Sequence, residues 1–160
     1  MAVCGFTGYR YEKLPFSRGD TAAVARLRER LKQACLRAIG AGCTRFISGF
    51  AEGSDLLFAQ AVLELQRDYA VVLEAALPFP NSHSRWGEAD KALYLSLLPR
   101  CASVYTASQY PGRRFYLMRN DYIVAQSDRL IAVYDGKPGG TAYTLARARE
   151  KGVMIDRIEP

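Results

Sequence analysis

Two carboxylates, Glu52 and Asp55, flank Ser54 on a turn between an apolar run and an apolar helix in FISGFAEGSDLLFAQ, residues 46–60. A strand-to-helix turn usually presents main-chain N–H groups to an anion, but two carboxylates repel phosphate at short range. They suit ribose hydroxyls or an amine. Asp55 also reads as the N-cap of the helix it opens, where a carboxylate stabilises by ~1 kcal/mol. Glu52 has no capping role to fill and is the stronger candidate for chemistry, as a ribose ligand or a general base.

Anion binding falls instead to a later turn, where Asp135, Gly136, Pro138, Gly139, Gly140 and Thr141 follow another apolar run. Glycine lacks Cβ, so it admits positive φ and lets phosphate oxygens approach the N–H groups of a helix N-terminus. Gly139, Gly140 and Thr141 fit that part, although glycines also serve any strand-to-helix turn. Arg10 and Arg119 offer the counter-charge, because a guanidinium gives a bidentate fork that lysine lacks. Arg119, Asn120 and Asp121 interrupt the apolar segment YLMRNDYIVAQSD, whose Leu117, Ile123 and Val124 are expected to face a sheet. A mostly buried helix tolerates such a trio where it meets a cavity, a partner or internal hydrogen bonds, a salt bridge to Arg119 among them. Phe79 and Trp86 are the aromatics best placed to stack on a planar base. No metal site is expected. Cys4, Cys35, Cys43 and Cys101 show no CxxC spacing and read as reduced core residues, and the one histidine, His83, has no cysteine nearby.

These residues need elements to hold them, and the chain alternates strands with helices. Extended runs are expected at 2–10, 44–50, 70–80, 102–108, 128–136 and 153–158, and helices at 21–39, 55–69, 88–100, 115–127 and 140–152. Asp20 is the expected N-cap of the first helix, with Gly40 and Gly42 as its stop. In that helix Arg26, Arg30 and Arg37 share one face, and Val24, Leu27, Leu31, Ala34 and Ala38 another. The pattern predicts an α/β, Rossmann-like three-layer domain with a mainly parallel sheet. In such a sheet ligands gather outside the carboxyl ends of the strands. That rim carries Gly8 and Arg10 after the first strand, and Ser48, Gly49, Glu52, Gly53 and Asp55 after the second. Pro78 and Phe79 follow the third, and Asp135 to Thr141 the fifth.

A chain of 160 residues, 49% hydrophobic, suits one domain over 1–160 with a single core. The N-terminal MAVCGFTGYRYEK lacks the charged-then-apolar order of a secretory signal, and no stretch approaches transmembrane length. A cytoplasmic protein with no membrane association is therefore expected. The formal charge of +6 makes a phosphate-bearing partner or nucleic acid worth considering.

Four ordered motifs, GYR, ISGFAEGSD, ALPFPNSHSRW and RNDYIVAQSDRLIAVYDGKPGGTAYTLARA, together resemble the YpsA-like family of the SLOG superfamily. That superfamily also contains the lonely-guy nucleotide hydrolases and the DNA-processing protein DprA. The resemblance spans nearly the whole chain. It implies a Rossmann-like domain with a nucleotide or nucleotide-derived ligand at the strand rim, in a regulatory or sensing role and with no further cofactor required. A homodimer, formed through one helix, is implied by the lonely-guy relatives. Those enzymes carry PGGxGTxxE with an arginine on the preceding helix; Arg119 matches that arginine, whereas PGGTAYT omits two residues and puts Thr144 where the glutamate belongs. A phosphoribohydrolase using Glu52 with Arg119 is the enzymatic alternative. A DprA-like single-stranded DNA-binding module is another.

Overall fold

The computed structural model describes residues 2–160. The strands are β1 (Ala2–Gly8), β2 (Cys43–Ser48), β3 (Val72–Leu77), β4 (Ser103–Thr106), β5 (Arg129–Val133) and β6 (Met154–Ile158). Between them lie helices α1 (Thr21–Gly40), α2 (Ser54–Leu65), α3 (Glu88–Leu97), α4 (Arg114–Gln126) and α5 (Gly140–Lys151). The strands form one six-stranded sheet in the order β4-β3-β2-β1-β5-β6, and every pairing is parallel. The expected α/β Rossmann-like architecture is therefore present, with a wholly parallel sheet. The strand order reverses beside β1, which places the crevice favoured for ligands between the outgoing ends of β1 and β5.

Local sequence explains the helices. The Asp20 carboxylate accepts from the Ala23 N–H at 3.1 Å and opens α1; Ala23, Leu27, Leu31, Ala34 and Ala38 then recur on the buried stripe. α2 is buried almost all round, as an apolar helix without a polar face must be. It packs against α1 and α3 on one face of the sheet, in a core that includes Phe6, Phe46 and Phe58. α4 and α5 cover the other face, where Ile47, Ala76, Ile123, Leu130 and Leu145 pack together. Leu117 departs from expectation: Ile123 and Val124 of α4 are buried, but Leu117 is 41% exposed beside Met118. It borders the open space at the end of β1 instead of the core.

The helix carrying Arg119 is also fixed to the sheet by a polar staple. Glu74, in β3 and almost fully buried, accepts from Arg45 Nη2 at 2.5 Å and Nε at 2.9 Å, from Ser103 Oγ at 2.9 Å, and from the Tyr122 hydroxyl of α4 at 2.5 Å. Burial alone would raise the carboxyl's pKa, but the hydrogen bonds from Tyr122, Arg45 and Ser103 outweigh it and hold it below its ordinary value of 4.5. Stability from this group is thus present above that ordinary value and lost as pH falls through the lower folded value. Glu74→Ala is expected to cost about 3 kcal/mol at neutral pH, the low end for breaking a buried pair whose cation keeps some water. In urea unfolding, the gap from the parent should close in acid; a gap independent of pH would refute the staple's ionic character.

No helix among the described residues is long and apolar enough to cross a membrane.

Candidate functional site

A cavity of about 250 Å³ opens where β1 leaves the sheet, walled by the starts of α2 and α5 and the inner face of α4. Of the residues expected on the rim, it brings together Gly8, Arg10, Asp55, Arg119, Asn120, Gly140 and Thr141. It adds Glu12, Lys13 and Tyr116, which sequence reasoning did not select; Glu12 is exposed at the mouth.

The turn after β2 is built to push Asp55 inward. Ser54 donates from both Oγ, at 2.6 Å, and N–H, at 3.1 Å, to the Tyr9 carbonyl, drawing the start of α2 against the exit of β1. Gly8 permits this approach, since a Cβ there would lie 2.8 Å from Ser54 Cβ. Ser48 Oγ donates to the Asp55 carbonyl at 2.8 Å and accepts from the Phe50 N–H at 3.2 Å; it is a fully buried turn staple with no cavity face. The expected capping role of Asp55 is not what the structure shows. α2 begins one residue earlier at Ser54, its N-cap is Gly53 with φ of 88° and no side-chain cap, and the Asp55 carboxylate accepts from the Ala51 N–H at 3.1 Å.

Arg119 crosses from α4 toward the same turn and is 5% exposed. Its Nη1 donates to the Gly49 carbonyl at 2.5 Å and the Ala76 carbonyl at 3.4 Å, and its Nε to Asn120 Oδ1 at 2.7 Å. The expected alternative of a salt bridge is not met: among the described residues Arg119 pairs with main-chain and amide oxygens. Asp55 nevertheless stands close, because a Cβ built on Gly49 would sit 2.8 Å from both Arg119 Nη1 and Asp55 Oδ2. Burial pushes the guanidinium's pKa down and the Asp55 carboxyl's up, each opposed by the other's charge. The Tyr116 ring lies under both arginines, 5.5 Å from Arg10 and 5.8 Å from Arg119.

On the far wall, Gly139 N-caps α5 with φ of 139°, leaving its first N–H groups free of intrahelical partners. Lys13 Nζ donates to the Pro138 carbonyl at 2.7 Å and lies against Gly139, where a Cβ would strike it. Nothing local in the sequence marks Lys13; Tyr116, three residues before Arg119 on one helix face, was within reach of periodicity. Thr144 donates to the Gly140 carbonyl at 2.8 Å. The Tyr9 hydroxyl donates to Asp135 Oδ1 at 2.8 Å and accepts from the Lys137 N–H at 2.9 Å, so Asp135 braces the rim without lining the cavity.

Other expected residues lie elsewhere. Glu52 faces a separate surface cleft with Tyr11, Phe16 and Arg18; Arg18 Nη2 is 3.4 Å from its Oε2 and 2.5 Å from Asp90 Oδ2. Burial, then the charge of Asp90, raises the Glu52 pKa. Glu52 and Arg119 therefore share no cavity. The Pro78 carbonyl accepts from the Ser108 N–H at 3.1 Å, and Phe79 lines a neighbouring cavity. Among the described residues no group of three or more His, Cys, Asp or Glu side chains is placed to hold a metal.

The arrangement pairs cations and a helix N-terminus, suited to an oxyanion, with one buried carboxylate suited to hydroxyl donors.

The YpsA family model, described as the YspA SLOG family, matches residues 4–156. A UPF0398 protein of Halalkalibacterium halodurans is 28% identical over 155 residues, covering 94% of this chain and 82% of its own. A UPF0398 protein of Bacillus cereus strain B4264 is 28% identical over 156 residues, covering 95% and 85%. Among solved structures, DNA processing protein A from Streptococcus pneumoniae aligns with a TM-score of 0.64 at 17% identity, over 99% of this chain and 50% of that one. The Helicobacter pylori protein of the same name, described for its single-stranded DNA binding mode, gives 0.62 at 16%, over 99% and 66%. The chain thus spans half to about two thirds of these structural relatives, which share its fold.

Proposed function

This chain belongs to the YspA SLOG family, and from that premise we propose that the cavity at the end of β1 binds a nucleotide or nucleotide derivative by its sugar-phosphate end. The observation that carries the reading is Arg119: a guanidinium almost wholly removed from water, without a carboxylate in direct contact, beside the N-terminus of α5. Burying a charge whose nearest carboxylate, Asp55, makes no ion pair with it is costly, and a phosphate supplied by a ligand would offset that cost with charge-assisted hydrogen bonds. Arg10 and Lys13 add positive field at the same wall. Asp55 takes the sugar hydroxyls.

Hydrolysis through Glu52 and Arg119 is the weaker reading, because the two side chains open onto different cavities. A single-stranded DNA site rests on the shared fold alone, and a space of about 250 Å³ suits one sugar phosphate better than a polymer.

Gly140 separates binding from folding. A Cβ there meets only Asn120 Nδ2, at an ordinary 3.7 Å, so a larger side chain projects into the cavity without disturbing the core. Gly140→Leu is expected to weaken calorimetric binding of ribose 5-phosphate and nucleoside monophosphates at least ~30-fold, equivalent to ~2 kcal/mol, with an unchanged thermal midpoint. Unchanged affinity would remove the phosphate wall from the reading.

A further inference from the structure

Beyond Tyr116 lies a second cavity, of about 670 Å³, between the loop after β3 and the segment leading into α4. Phe79, Trp86, Pro111 and Tyr116 form apolar walls, and Arg85 and Arg113 stand at its edge. Tyr116 lines both cavities, and its ring meets Phe79 edge to face with centroids 5.6 Å apart. The two spaces are therefore neighbours across one aromatic partition.

Size divides the work between them. At about 250 Å³ the first cavity falls below the ~300–1,000 Å³ of sites that enclose a whole small ligand. A sugar phosphate fits there; the ring system attached to it must go elsewhere, and the larger cavity is adjacent. Trp86 is braced by Tyr94, at a steep angle with centroids 5.5 Å apart, and by His83 at 6.2 Å. A braced indole offers a flat face at little cost in side-chain freedom. Asn81 and Gln109 also line this cavity, and their amides both donate and accept, as the edge of a heterocyclic ring requires.

We infer that the second cavity holds the planar, nucleobase-like ring of the ligand whose sugar-phosphate end occupies the first, with Trp86 and Phe79 as its stacking walls. The inference rests on the reading of the first cavity given above.

Trp86 is the only tryptophan, so its emission reports on this cavity alone. The full chain is titrated with the four common nucleoside monophosphates and with ribose 5-phosphate, following heat and indole fluorescence in parallel. At least one nucleotide should bind and quench Trp86, while ribose 5-phosphate binds without quenching. Trp86→Ala should weaken that nucleotide about tenfold, within the range for loss of one stacking contact, and leave ribose 5-phosphate unaffected. Nucleotides that bind no tighter than ribose 5-phosphate and leave the emission unchanged would overturn the inference while sparing the first cavity. Heat from none of the probes would remove both.

Discussion

Arg119→Met should abolish measurable binding of a phosphate-bearing ligand, with a loss of at least ~100-fold or about 3 kcal/mol. Methionine keeps much of the volume and removes every donor. Arg119→Lys should recover little of the loss, because a point charge cannot hold the Gly49 carbonyl and Asn120 Oδ1 while presenting a fork to phosphate. Arg119→Met also strips Asp55 of its main opposing charge, so some loss of folding stability accompanies it. Calorimetry at constant pH, paired with urea unfolding, separates the effects. Full affinity in folded Arg119→Met protein would end the claim that this guanidinium meets the ligand.

Gly53→Ala should be the most damaging small substitution for folding. At φ of 88° and ψ of −129°, Gly53 lies in a region that costs a residue with a Cβ about 1–3 kcal/mol. The new methyl would also lie 2.9 Å from the Tyr11 nitrogen, 3.0 Å from Arg10 Cα and 3.0 Å from the Tyr9 oxygen. Those are backbone atoms, which cannot rotate aside. Adding overpacking of about 1–3 kcal/mol, the expected loss is about 4 kcal/mol, a large share of an ordinary domain's stability. A loss under about 1 kcal/mol by urea unfolding would show that the turn relaxes freely.

Much of the fold is legible in the sequence. Glycine and proline punctuate the apolar runs, so the strands, the helices between them and the shared rim could be read directly. Asp20 caps α1 as its position implies. Boundaries shifted where the signal was local and weak: α2 stops at Leu65 although apolar spacing continues to Tyr69. The choice between Glu52 and Asp55 could not be made from spacing. Three residues apart on one turn, they separate because Gly53 reverses the chain and because Arg18 and Asp90, distant in sequence, hold Glu52 on the outside. Leu117 was misplaced for a similar reason. On a helix with inward polar residues, the apolar positions do not all mark the buried face.

The phenol of Tyr9 leaves one more mark. It is buried at the exit of β1 and bonded to both the side chain of Asp135 and the main chain of Lys137 beyond β5. The lips of the crevice are thus locked together before any ligand arrives. Entry then requires no prior opening of these two segments, and the ordering entropy of this wall is met during folding. Differences in affinity among related ligands should accordingly reside in how slowly they leave rather than how fast they enter.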